Sequence, residues 1–222
     1  MTITQLAISL QPVLHFFIQG GVFMIFLLLL SIIALAVIIL RGQALREAAV
    51  LPPALVREIQ RLEPEDNLDN LQRLIAAHPS PLARILALLL RQLSWPKSEV
   101  VEAVQTQARH EIARLESGLV ILEISTGVAP LLGLLGTLSG LVGIFANLGG
   151  GGDPVKVAQG IAEALNTTIV GLAVAAPSLT AYNYFQRKIE VMSVEMESLV
   201  GMLLSKCYPQ GETPTIVTLD KK

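Results

Sequence analysis

Residues Gly20 to Leu40, GGVFMIFLLLLSIIALAVIIL, form 21 consecutive positions without a charged side chain, and Arg41 stops the run. About 20 apolar residues in a helix cross a hydrocarbon core of roughly 30 Å. A signal peptide would need a basic stretch before the run and small residues at a cleavage position soon after it, and neither is present. The run therefore predicts a first transmembrane helix over residues 20–41. Its bulky aliphatic content suits a surface that faces lipid.

Two further apolar blocks follow, Gly118 to Leu148 and Gly160 to Phe185. Together they account for a chain that is 52% hydrophobic and only 15% charged, where a soluble domain carries about 25% charged residues. The expectation is an all-α integral membrane protein with three transmembrane helices and long helical extensions on one side. The net charge of −2 offers no basic excess for nucleic acid. Cys207 is the only cysteine, and His15, His78 and His110 lie far apart in sequence. No disulfide, metal site or cofactor is expected.

In chain order, residues 1–19 hold no Lys, Arg, Asp or Glu and are interrupted by Pro12. They predict an amphipathic helix lying on the outer membrane surface. Residues 42–117 are polar and broken at Pro52-Pro53, Pro64, Pro79, Pro81 and Pro96. Between the breaks Leu55, Ile59 and Leu62, then Leu68, Leu71, Leu74 and Ile75, then Leu82, Ile85, Leu86 and Leu89 recur at helical spacing. This predicts a cytoplasmic helical domain whose last helix, from near Lys97, runs on into the second span, 118–148, as one rod. Within that span Ala129, Gly133 and Thr137 are four apart, as are Gly136 and Gly140, a spacing that lets helix backbones approach closely. Residues 149–159, which begin with four glycines, predict a periplasmic turn. They lack the Gly-Lys-Ser/Thr ending of a phosphate loop. The third span, 160–186, again has small residues at four-residue steps, Gly171 among them. A C-terminal helix and tail occupy 187–222.

Of the 16 Lys and Arg residues, ten lie in 41–117 and five in 187–222, leaving only Lys156 elsewhere. Basic loops stay on the cytoplasmic side. The expected topology is multi-pass in the inner membrane, with the N-terminus and the glycine turn outside and the C-terminus inside.

The third span carries the chemistry. Glu163 lies near its start, and Asn166, Thr167 and Thr168 follow within two turns. An ionisable group inside a span is expensive and marks a functional site by default, although an acid three residues past Gly160 can also sit among headgroups. Hydroxyls coordinate ions or water without fixed charge, and a carboxylate can take up and release a proton, so this track suits a small cation. Two spans with small-residue faces cannot both be satisfied within one copy, which predicts a homo-oligomer. No nucleophile-base pair, nucleotide loop or metal cluster supports an enzyme.

Ala129-Pro130-Leu131-Leu132-Gly133-Leu134-Leu135-Gly136-Thr137, together with Gly160-Ile161-Ala162-Glu163-Ala164-Leu165, Gly171-Leu172 and Pro177 to Asn183, resembles the MotA/TolQ/ExbB proton-channel family, closest to its ExbB/TolQ branch. The resemblance implies a pentamer around an ExbD/TolR-like single-span partner in the bacterial inner membrane. It also implies that proton flow there drives a TonB- or TolA-like protein spanning the periplasm. It assigns Thr137, Glu163 and Thr168 to the ion pathway, and Pro130 and Pro177 to the family's membrane prolines. Gly133, Gly136, Gly140 and Gly171 are expected at helix contacts. The chain departs from the family at Asn166-Thr167, where relatives commonly carry apolar or small residues, so these two rank lower in the pathway and sodium remains an alternative ion. At 100° per residue Glu163 and Thr167 share a face, while Thr168 lies about 140° from Glu163. The competing functional reading is a membrane scaffold that conducts nothing.

Overall fold

The computed structural model describes residues 21–64, 66–147 and 154–208, and among them the chain is helical with no strand. The expected surface helix of residues 1–19, positions 149–153 of the glycine turn, and the tail from 210 lie outside the described residues. In order, the helices are α1 (Gly21–Ala44), α2 (Glu47–Val50), α3 (Pro53–Arg61), α4 (Asp69–Ala77), α5 (Pro81–Arg91), α6 (Lys97–Glu116), α7 (Val120–Asn147) and α8 (Pro154–Cys207). Three of the described helices, α1, α7 and α8, are long and apolar enough to cross a membrane. The all-α, three-span architecture expected from the sequence is the one found.

The chain divides into two compact units, one made of the chain up to Leu40 with Leu119–Tyr184, the other of Arg41–Gly118 with the chain from Phe185. In the first unit, Leu27 of α1 is fully buried in a cluster with Ala129 of α7 and Val174 and Ala175 of α8, flanked by Leu30, Leu132 and Val170. The rest of α1 is largely open: Val22, Ile25, Phe26, Leu29 and Leu35 are each more than half exposed. Apolar exposure on this scale is the surface of a helix solvated by lipid or by other apolar helices. Gly21 starts α1 at φ +64°, a backbone conformation that an L side chain rarely adopts.

Helices α7 and α8 run antiparallel, because their contact partners ascend on one as they descend on the other. Gly171 meets Ala129, Gly133 meets Thr167 and Thr168, Gly140 meets Ala164, and Gly160 meets Ile144. Pro130 and Pro177 both lie inside helices. Each lacks an N–H, so the carbonyls of Thr126 and Ala173 lose their usual helical donor.

Two boundaries differ from the sequence expectation. The third long helix starts at Pro154 rather than Gly160, with proline at its first position, where the missing N–H costs nothing. The expected rod from Lys97 into the second span is two helices, since α6 ends at Glu116 and residues 117–119 form a turn before α7. The Arg41 guanidinium occupies the space that a side chain at Gly118 would need, and its Nη1 donates to the Leu115 carbonyl at 3.4 Å. Ser117 Oγ donates to the Arg114 carbonyl at 2.9 Å. These hydrogen bonds engage carbonyls of the last turn, which the helix end leaves without amide donors.

In the second unit α3 packs on α4, α4 on α5 and α5 on α6. Leu55, Ile59, Leu71, Leu82, Ile85, Leu86 and Leu89 are fully buried. Ser80 caps α5 by accepting from the Ala83 amide at 3.1 Å, and Pro81 follows at the first helical position. The C-terminal end of α8 is tied in by polar contacts: Lys206 Nζ donates to the Ile59 and Gln60 carbonyls at 2.7 and 3.1 Å, at the end of α3. Tyr208 Oη donates to the carbonyls of Leu93 and Trp95.

Glu111 of α6 is fully buried, with Arg84 Nη2 at 2.5 Å, Gln107 Nε2 at 2.8 Å and Arg114 Nη1 at 3.7 Å. Burial pushes its pKa up, but the hydrogen bond and charge of Arg84, with help from Arg114 and Gln107, outweigh it and hold the carboxyl below its ordinary value. A depressed carboxylate contributes stability that is present above the ordinary value of 4.5 and is lost as pH falls through the lower folded value. Arg84→Ala is expected to destabilise the chain by about 2 kcal/mol at neutral pH, because a buried carboxylate loses a charged hydrogen bond while Arg114 and Gln107 stay in place. Thermal unfolding followed by circular dichroism checks this, and the deficit should shrink as pH is lowered below that range.

Candidate ion pathway between the second and third spans

The antiparallel register brings three threonines together across the α7–α8 seam. Gly133 and Gly136 make this possible. A Cβ on Gly133 would lie 2.9 Å from the Thr167 carbonyl oxygen and from Thr168 Cα, and one on Gly136 would lie 2.7 Å from Thr167 Oγ1. With no side chain on α7 at these positions, the hydroxyl face of α8 reaches the α7 backbone.

Thr137 Oγ1 lies 2.5 Å from Thr168 Oγ1 and 3.5 Å from Thr167 Oγ1. All three hydroxyls reach the Gly133 carbonyl, at 3.2 Å from Thr137, 3.2 Å from Thr167 and 3.1 Å from Thr168. The Ala164 carbonyl is a second acceptor, 3.1 Å from Thr137 and 2.8 Å from Thr167. Thr167 and Thr137 are buried and Thr168 is half-buried. A hydroxyl has one proton to donate and two lone pairs to accept with. Three protons therefore share a larger set of acceptor positions, and the pattern can change by rotating O–H bonds while the heavy atoms stay still. Neutral oxygens so arranged can pass a proton or face a cation.

Glu163 lies elsewhere, in a cleft of about 330 Å³. The cleft is lined by Gly21 to Phe23 of α1, by Gly136, Ser139, Gly140, Gly143 and Ile144 of α7, and by Gly160, Glu163, Ala164 and Thr167 of α8. Gln159 Nε2 donates to Glu163 Oε1 at 3.3 Å, one turn away on the same helix. The carboxylate is half-buried. Glu163 and Thr167, on one face by helix geometry, both line this cleft, whereas Thr168 contributes to the hydroxyl cluster beside it. Asn166 is half-buried and is not one of the cleft-lining residues.

The four glycines expected at contacts all meet the facing helix of the same chain. The two small-residue faces that were expected to need a second copy thus satisfy each other within one, and the surroundings of the four divide. Gly133 and Gly171 face backbone atoms, and Gly136 and Gly140 face the side chains of Thr167 and Ala164. Ser139 and Gly143 of the cleft were not expected, although Gly136, Gly140 and Gly143 fall on one helical face and could have signalled it. Ser125 and Ser178 are buried hydroxyls that sequence reading passed over. Each donates to its own helix, at Ile121 and Val174 respectively, which satisfies it locally.

Comparison with known proteins bears on this arrangement. Residues 77–198 match the MotA/TolQ/ExbB proton channel family model, an interval that contains every polar residue of the hydroxyl cluster and Glu163. The chain is 37% identical over 202 residues to the ExbB-like 1 protein of Synechocystis sp., covering 86% of this chain and 77% of that protein. It is 44% identical over 81 residues to the biopolymer transport protein ExbB of Helicobacter pylori, which covers 36% of this chain and 56% of the relative. Against ExbB of Neisseria meningitidis serogroup A the identity is 27% over 209 residues, covering 87% and 93%. This family is one of channel and transport subunits rather than enzymes, which agrees with a polar seam that holds hydroxyls and one carboxylate. The chain is a multi-pass membrane protein and belongs to the MotA/TolQ/ExbB proton channel family, on its ExbB side.

Proposed function

We propose that this chain is the proton-conducting subunit of an energy-transducing complex in the inner membrane. In this reading it assembles as a homopentamer around an ExbD/TolR-like single-span partner. Proton flow through the assembly is coupled to work on a TonB- or TolA-like protein that spans the periplasm. The N-terminus and the glycine turn face the periplasm, as the distribution of Lys and Arg supports. The observation that carries the reading is the cluster of Thr137, Thr167 and Thr168 around the Gly133 carbonyl, next to a cleft that contains Glu163. Buried hydroxyls with interchangeable hydrogen-bond partners, and a carboxylate within the same helix pair, are what a proton needs to cross an apolar seam.

The test is purification of the chain with its ExbD/TolR-like single-span partner, subunit counting, and flux measurement in liposomes under separate proton and sodium gradients. Thr137→Val with Thr168→Val keeps the packing volume and removes the pair separated by 2.5 Å. The double substitution is expected to reduce proton flux by about ten-fold or more while the oligomer survives. Sodium-dependent flux without proton flux would make this a sodium-driven member of the family. Neutral oxygens of the cluster and the extra Asn166-Thr167 polarity suit that ion too. A chain that assembles but moves neither ion is a scaffold.

A further inference from the structure

Of the three threonines of the hydroxyl cluster, Thr167 alone also lines the cleft. It is 1% exposed. Its hydroxyl is 2.8 Å from the Ala164 carbonyl, 3.2 Å from the Gly133 carbonyl and 3.5 Å from Thr137 Oγ1. It also lines the cleft with Glu163, Ser139 and Gly143, and neither Thr137 nor Thr168 does. A polar route from Glu163 to the Thr137–Thr168 pair therefore passes Thr167. Gly136 keeps that position open, since any side chain there would strike the Thr167 hydroxyl and Cβ.

Resting on the ion-pathway reading, we propose that Thr167 is the junction, within a single chain, through which a proton in the Glu163 cleft reaches the Thr137–Thr168 pair. A hydronium in the cleft, held by Glu163, gives its excess proton to a lone pair of Thr167 Oγ1 and is left as water. In the same step Thr167 releases its own proton to Thr137 Oγ1, Thr137 passes its proton to Thr168 Oγ1, and the half-buried Thr168 releases its own to a water outside the cluster. Each threonine oxygen gains one O–H bond and loses one, so a single positive charge passes from hydronium to water and no threonine is left altered. The hydroxyls then rotate back between the Gly133 and Ala164 carbonyls, which are their resting acceptors. The Thr167–Thr137 separation of 3.5 Å exceeds the roughly 2.7–2.8 Å of a good O–H···O bond. It is also longer than the 2.5 Å between Thr137 and Thr168, so of the two hydroxyl-to-hydroxyl hops this is the slower.

A residue that merely packs α8 against Gly136 predicts the opposite ranking of variants, and this separates the two roles. Thr167→Val keeps the shape and removes the hydroxyl, while Thr167→Ser keeps the hydroxyl and opens a methyl-sized gap. Proton flux is measured for the full-length chain in its complex with the single-span partner, with size-exclusion chromatography to verify assembly. As a junction, Thr167→Val is expected to lose about ten-fold or more of the flux, and Thr167→Ser to remain within about three-fold of the parent. Thr167→Ala serves as a second hydroxyl-free variant should the valine disturb assembly, and it should lose flux like valine. Parent-like flux in Thr167→Val, with the Thr137→Val/Thr168→Val protein inactive, overturns the junction and leaves the pathway reading standing. A serine variant worse than the valine variant overturns it as well and makes Thr167 a packing residue. Unchanged flux in every hydroxyl variant and in Glu163→Gln removes the pathway itself, and the junction with it.

Discussion

Gly171→Ala is expected to separate α7 from α8. The added Cβ would lie 2.6 Å from the Ala129 carbonyl oxygen and 3.2 Å from Gly133 Cα. Both are backbone atoms, so no rotamer change relieves the clash and the helices must move apart. Ala is the better helix former by about 1 kcal/mol, so local propensity works against the expected loss. Overpacking of this kind costs about 1–3 kcal/mol, and the displacement also draws Thr167 and Thr168 away from the Gly133 carbonyl. A net loss of up to about 2 kcal/mol is expected, with reduced recovery of assembled protein. Gly127→Ala is the matched control, because nothing lies within 4 Å of its added Cβ. It should be neutral or slightly stabilising. Thermal stability in detergent compares the two, and equal melting behaviour would mean that the α7–α8 contact does not depend on a bare backbone at 171.

Glu163→Gln is expected to abolish ion flux while leaving assembly intact. The amide occupies nearly the same volume and still accepts a hydrogen bond from Gln159. It cannot carry a proton or a negative charge, so any effect comes from the lost ionisation. A carboxylate that handles the moving proton contributes about 10²–10⁴-fold, so flux in liposomes should fall to background. A carboxylate that only marks the headgroup zone predicts unchanged flux, and that result would remove Glu163 from the pathway. Size-exclusion profiles of the two proteins must coincide for the comparison to count.

Much of this architecture is legible in the residues themselves. The charge-free run before Arg41 is a span because its length matches a bilayer and nothing polar interrupts it. Leu55, Ile59 and Leu82 to Leu89 reveal their helices because burial repeats at 3.6 residues. Glu163 and Thr167 can be placed on one face from spacing alone, and both line one cleft. The rod expected through residues 117–119 breaks at Ser117-Gly118, a pair that favours a helix end, and the turn is engaged by a group no local pattern could name. The guanidinium of Arg41, far away in sequence, is held against the Leu115 carbonyl and lies over Gly118, where any side chain would strike it.

The hydroxyl cluster has the same character. Its members come from α7 and α8, and helical periodicity within either segment says which residues share a face but not which residue across the seam they meet. The small residues announced that two backbones could approach. The sequence by itself determined how many helices the chain makes, which of them are apolar enough for a bilayer, and which faces are small. Tertiary structure alone decided the antiparallel register of α7 and α8, because it depends on which glycine meets which backbone atom. That register sets Thr137 2.5 Å from Thr168 and leaves Thr167 shared between the cluster and the Glu163 cleft.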